Sequence, residues 1–182
     1  MKKVLVAGFG NILRGDDGFG VMVSRSLIAR GAGPTDVKVI EVGISGITLV
    51  QELMDGYDGL LILDAVDRGG EPGTVYFFEP EVEDPGAIPR HELYECMADI
   101  HQTDPAKALL LAKALGGLPR KVLIIGCQPQ CCDDLGAELS EPVQRAVEKV
   151  LEGFDEQVRG LRHQLSQEEI RMIPEGQDAG EG

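Results

Sequence analysis

Apolar residues in this chain fall into two patterns. Short continuous runs alternate with stretches in which every third or fourth residue is apolar. Lys3 to Gly8, KVLVAG, has the first pattern and predicts a buried strand. Val37 to Val42, Gly59 to Ala65 and Lys121 to Gly126 repeat it, and Gly59 to Ala65 (GLLILDA) is the most buried in character. Phe19 to Arg30 has the second pattern, with Phe19, Met22, Val23 and Leu27 on one face and Gly31 as the stop. Ile47 to Met54 predicts a short helix with Leu49, Val50 and Leu53 inward. Pro105 to Leu115 predicts another, with Asp104 as N-cap and Pro105 in the first turn. Ser140 to Phe154 predicts the last, with Val143, Val147, Val150 and Leu151 inward. Thr74 to Phe78 predicts one more strand. The connection leading to it is too short for a helix, so it should run antiparallel at an edge.

Strands alternating with helices imply an α/β fold. The expectation is a three-layer α/β/α sandwich around a mostly parallel, twisted five-stranded sheet with one antiparallel edge strand. Residues 1–155 should form a single domain. Residues 156–182 should form a C-terminal helical extension ending in an acidic tail, disordered from Gly176 to Gly182. In such folds ligands bind outside the carboxyl ends of the strands. The residues following Ala7, Ile40, Leu63 and Ile125 are therefore the place to look for chemistry.

Composition narrows the function classes. The 182 residues hold 17 Lys+Arg and 31 Asp+Glu, a formal charge of -14. That surface repels nucleic-acid phosphates and anionic lipid, so neither is expected as a partner. No stretch approaches the roughly 20 apolar residues that span a bilayer. The opening apolar run breaks at Gly8 before it can form a signal peptide, so no membrane insertion is expected. The four cysteines, Cys96, Cys127, Cys131 and Cys132, have no disulfide-framework spacing, and a cytoplasmic protein with free thiols is expected.

The loop after the first strand reads Gly8-Phe9-Gly10-Asn11-Ile12-Leu13-Arg14-Gly15-Asp16-Asp17-Gly18-Phe19-Gly20. Leu13 stands where a dinucleotide fingerprint needs its third glycine, and no Gly-Lys-Ser/Thr exists, so both phosphate motifs fail. What remains is a glycine loop that carries carboxylates to the mouth of the sheet. Helix capping needs one acid at most, so one of Asp16 and Asp17 should be functional. Gly18 and Gly20 each weaken a first helical turn by about 1 kcal/mol, which points to close approach by another backbone or a ligand. Asp64 closes an apolar strand, where a carboxylate is expensive unless paired or used. His101, just before the capped helix, would complete an O/O/N ligand set open to Ni, Cu or Zn. The Cys127-x3-Cys131-Cys132 cluster reads as buried or idle thiol, with a Cys127–His101 nucleophile pair as the weaker option.

Together these residues resemble the hydrogenase maturation proteases. The resemblance covers about Met1 to Leu151 and rests on five motifs in order. They are GFGNILRGDDGFG, Glu41-Val42-Gly43-Ile44-Ser45-Gly46, Leu63-Asp64-Ala65, His101-Gln102 and Gly126-Cys127-Gln128-Pro129. It implies that Asp17, Asp64 and His101 face one metal site and carry the reaction. The first acid is often Glu in the family. It also implies that the second loop, with Glu41, Gly43 and Ser45, contacts the substrate, although this chain lacks the frequent Asp-Gly-Gly-Thr there. The implied partner is the [NiFe]-hydrogenase large-subunit precursor, trimmed of its C-terminal extension by an aspartic-type endopeptidase once nickel is in place. Nickel would come with the substrate, and cadmium or zinc could substitute for it. The alternative is a non-catalytic metal- or subunit-binding chaperone on the same fold.

Overall fold

The computed structural model describes residues 2–31, 36–89, 91, 105–136 and 138–172. Its strands are β1 (Val4–Phe9), β2 (Val37–Gly43), β3 (Gly59–Ala65), β4 (Val75–Phe78) and β5 (Lys121–Cys127). They form one sheet in the order β2-β1-β3-β5-β4, parallel throughout except for β4 against β5. The described helices are α1 (Phe19–Ala29), α2 (Gly46–Leu53), α3 (Pro105–Ala114) and α4 (Glu141–Met172), with a 3-10 turn at Gly15–Gly18.

The central strands are apolar on both faces because both faces are covered. Leu5, Ala7, Phe9, Leu60, Ile62 and Ile124 point to one side and meet α2 and α3 through Leu49, Leu53, Leu109 and Ala112. Val4, Val6, Leu61, Leu63 and Ile125 point to the other and meet α1 and α4 through Phe19, Val23, Leu27, Val143 and Phe154. This is the three-layer architecture expected from the alternating pattern. The antiparallel edge also matches, since β4 returns from β3 without a helix.

The last helix differs from its expected end. It continues past Phe154 to Met172. The reason lies in the spacing: Phe154, Val158, Leu161 and Leu165 recur every three or four residues, and all are buried against the sheet. The charged residues between them occupy the opposite face and obscure the stripe. Leu161 and Leu165 pack at Gly59, where an added Cβ would lie 3.2 Å from Leu161 Cδ2. Arg162 forms an ion pair with Asp36, Nη2 to Oδ2 2.5 Å, with angles outside hydrogen-bond geometry. Residue 155 therefore lies inside a continuous helix whose second half contributes to the core. Leu161→Ala is expected to lower stability by about 2–4 kcal/mol, read as a reduced urea midpoint with the slope unchanged.

Candidate active site

The order β2-β1-β3 places a reversal of direction between β1 and β3. α1 leaves β1 on one face of the sheet, and α2 leaves β2 on the other. Their divergence opens a crevice above the carboxyl ends of β1 and β3. A cleft of about 490 Å³ occupies that point, lined among others by Asn11, Arg14, Asp17, Gly43 and Asp64. Asp17 and Asp64, the two described residues of the expected ligand set, thus share one cavity. His101 lies outside the described residues, as does the cap residue Asp104. Pro105, four positions after His101, lines the cleft. Among the described residues, no three His, Cys, Asp or Glu side chains cluster as a metal centre.

Asp16 and Asp17 divide into separate roles. Asp16 is 1% exposed. Its Oδ1 accepts a hydrogen bond from Ser140 N at 2.6 Å. Its Oδ2 accepts from Gln130 N at 2.7 Å, Cys131 N at 3.2 Å and Ser140 Oγ at 2.8 Å. Asp16 therefore ties the loop between β5 and α4 to the loop after β1. Asp17 is half-buried, lines the cleft and accepts a hydrogen bond from Asn11 N to Oδ2 at 2.9 Å. That bond folds the glycine loop back on itself and holds the carboxylate at the cavity wall. Asp64 is half-buried near the end of β3, in register with Gly126 of β5.

The glycines in this region make room for backbone. A Cβ on Gly20 would lie 2.0 Å from Leu63 O and 2.5 Å from Phe9 O. The start of α1 therefore sits directly over the ends of β1 and β3, which brings the loop carrying Asp17 beside the strand carrying Asp64. Gly10 has φ +117°, and a Cβ there would lie 1.8 Å from Asp17 O. Either position excludes a side chain without displacing the cleft.

The second loop reaches the cleft only in part. Gly43 and Ile44 line it, and Gly43 O accepts a hydrogen bond from Gly10 N at 3.0 Å. Ser45 precedes α2 as its N-cap residue, without a side-chain capping bond. Glu41 is turned to α1, where Arg25 grips it with Nε to Oε2 at 2.7 Å and Nη2 to Oε1 at 2.8 Å. The Arg25 hydrogen bonds hold the Glu41 carboxyl below its usual range. A carboxyl depressed in the folded state stabilises the fold above its unfolded pKa and loses that contribution as pH falls through the folded value. Glu41→Gln should thus give a small loss of melting temperature at neutral pH. The gap to wild type should close in acid, as thermal melts across pH 3–7 would register (roughly the carboxylate range).

Two of the thiols, Cys127 and Cys132, are poor nucleophiles here. Cys127 is fully buried, and burial, followed by the charge of Asp16, pushes it up to about 12. Cys132 is pushed up to about 11 by burial and then by Asp17 and Asp16. Neither favours the thiolate that a cysteine-protease reading requires.

Two contributors were not singled out from the sequence. Arg14 brings a cation into the cleft beside the two acids. It is anchored by Nε to Cys132 O and Nη2 to Asp133 Oδ1, each at 3.0 Å. Gln128 is 5% exposed and braces the strand ends. Its Oε1 accepts from Arg68 N at 2.8 Å, and its Nε2 donates to Asp67 Oδ1 at 2.8 Å. Arg14 could have been found as a charge within the carboxylate loop. Gln128 falls inside the Gly126-Cys127-Gln128-Pro129 motif, but its bracing role depends on a distant loop.

Comparison with known proteins adds an independent line. The family described as HycI, hydrogenase maturation protease, matches residues 21–156. The hydrogenase expression/formation protein HoxM of Azotobacter vinelandii is 37% identical over 149 residues, covering 82% of this chain and 69% of that one. The hydrogenase 2 maturation peptidase of a Thaumarchaeota archaeon superposes with TM-score 0.62 at 34% identity, covering 88% of this chain and 99% of that one. The hydrogenase maturating endopeptidase HybD of E. coli gives TM-score 0.65 at 27% identity, over 87% and 93% of the two chains. Sequence, fold and the acid-lined cleft agree: this chain belongs to the hydrogenase maturation protease family.

Proposed function

We propose that this chain is the endopeptidase that removes the C-terminal extension of a [NiFe]-hydrogenase large-subunit precursor after nickel has been inserted. The observation that carries the reading is the pair Asp17 and Asp64 in one cleft at the β1/β3 reversal. Peptide hydrolysis adds a water oxygen to the scissile carbonyl carbon, breaks the C–N bond and delivers a proton to the leaving amine. A carboxylate in the cleft can take the proton from that water and return it to the amine. Carboxylate oxygens also suit a divalent ion brought in by the substrate, with His101 as the third proposed ligand. Cadmium or zinc would fit the same mixed donor set. The reaction is then aspartic-type in its machinery and metal-dependent in its recognition.

The glycine floor supports this reading. Gly10 and Gly43 face the cleft without side chains, which leaves room for an extended peptide along its wall. Arg14 offers guanidinium donors to substrate carbonyls or acids entering the same space. No described helix is long and apolar enough to cross a membrane, and the site of action proposed is the cytoplasm. Incubating the purified chain with nickel-loaded precursor should yield a large subunit shortened at its C-terminus, read by intact-mass spectrometry. Tight binding with the extension left intact would replace the protease reading with the chaperone one.

A further inference from the structure

The loop between β1 and α1 has two faces. Asn11, Arg14 and Asp17 line the catalytic cleft, while Ile12, Gly15 and Gly18 line a second depression on the far side. The spacing is three residues on each face. The loop is therefore a thin wall between two cavities. The second is a groove of about 670 Å³ between α1 and the first turns of α4. Its apolar surface comes from Ile12, Met22, Leu139, Val147 and Leu151. Leu139, Val147 and Leu151 also pack on the core, so the groove floor is rigid. Met22 is 38% exposed and Ile12 42%, and beside them Leu13 is 61% and Leu135 82% exposed. An apolar patch of this kind, rimmed by polar residues, marks a protein contact.

Resting on the function proposed above, the geometry points to this groove as the docking site for the precursor itself. Its occupant would be an apolar segment of the large subunit lying next to the segment that enters the cleft. Continuity carries the assignment, because one loop wall serves both cavities. A polypeptide crossing the wall at Ile12 and Leu13 reaches both. Charge selects against a second copy of this chain, which at -14 would face its own repulsion. Glu138 and Glu148 stand on the groove rim, so basic residues should flank the apolar segment of the precursor. The groove thus supplies affinity for the folded substrate, and the cleft supplies the cut.

The test uses the full chain and nickel-loaded precursor, with cleavage and binding measured separately. Met22→Arg places a charge in the groove, and Glu148→Trp fills it from α4. Leu115→Arg, at an exposed apolar position outside the groove, is the control. The expected result is a rise in KM and in Kd for the precursor of roughly tenfold or more for both groove variants. Their kcat should fall far less, melting temperatures should stay near wild type, and the control should leave KM and Kd in place. If the wild-type chain cleaves the precursor and both groove variants bind it as tightly, the docking assignment is wrong while the protease reading stands. If the wild type is a dimer that Met22→Arg splits without changing precursor binding, the groove belongs to a second copy and the assignment is again wrong. If the wild type neither cleaves nor binds precursor, the function reading fails and the docking site falls with it.

Discussion

Asp17→Asn should abolish precursor processing while leaving the protein folded. The substitution keeps an oxygen that can accept the Asn11 N–H, the bond that shapes the glycine loop. It removes the negative charge and the basicity. A carboxylate acting on water contributes about 10²–10⁴ in rate, and loss of a metal-binding oxygen anion adds to that. The expected result is therefore a fall in cleavage rate of at least ~100-fold, measured by mass spectrometry under single-turnover conditions. The melting temperature should move little, because Asp17 is half-buried and its hydrogen bond from Asn11 N is kept. Cleavage within a few-fold of wild type would remove Asp17 from the reaction.

Asp16→Ala should do the reverse, damaging the fold first. The four hydrogen bonds to the Asp16 carboxylate come from Gln130 N, Cys131 N and both the backbone and hydroxyl of Ser140. Removing the carboxylate takes the partner from three part-buried backbone donors on the loop between β5 and α4. Hydrogen bonds to a charged group contribute about 1.5–3 kcal/mol each, less where water can replace the partner, so the four together should cost roughly 3 kcal/mol when removed. That is a large share of the 5–15 kcal/mol that holds a typical domain folded. Urea denaturation would give the value directly. The contrast between neighbours is the point: one acid should register in activity and the other in stability. A stable Asp16→Ala protein would contradict the clamp.

The residues alone left that division open, and the family resemblance pointed to Asp17 without giving Asp16 a task. Asp16 and Asp17 are adjacent and chemically identical, and the residues that separate them lie more than a hundred positions away at Gln130 to Ser140. What the sequence did carry was local. Alternating periods predicted the layered sheet, and the short connection before β4 predicted its antiparallel edge. Glycines at positions 18 and 20 signalled close approach: an added Cβ on Gly20 would meet the backbone oxygens of Leu63 and Phe9, and one on Gly18 would lie 3.2 Å from Ile12 Cα. The long final helix was cut short because the apolar stripe through Val158 and Leu165 is diluted by charge on its outer face. The second loop differs: Glu41 lies inside β2, two residues before its end, and faces Arg25, since alternate residues on a strand point to opposite sides. Asp64 was found because a carboxylate ending an apolar strand demands a partner or a task.

In the function proposed, the precursor's nickel is part of what the cleft reads. The most direct measurement compares nickel-loaded and nickel-free large-subunit precursor, incubated with the wild-type chain at equal concentration and followed to completion. Rapid trimming of the loaded form, with the nickel-free form left intact, is the result predicted. Equal trimming of both, or of neither, would contradict it.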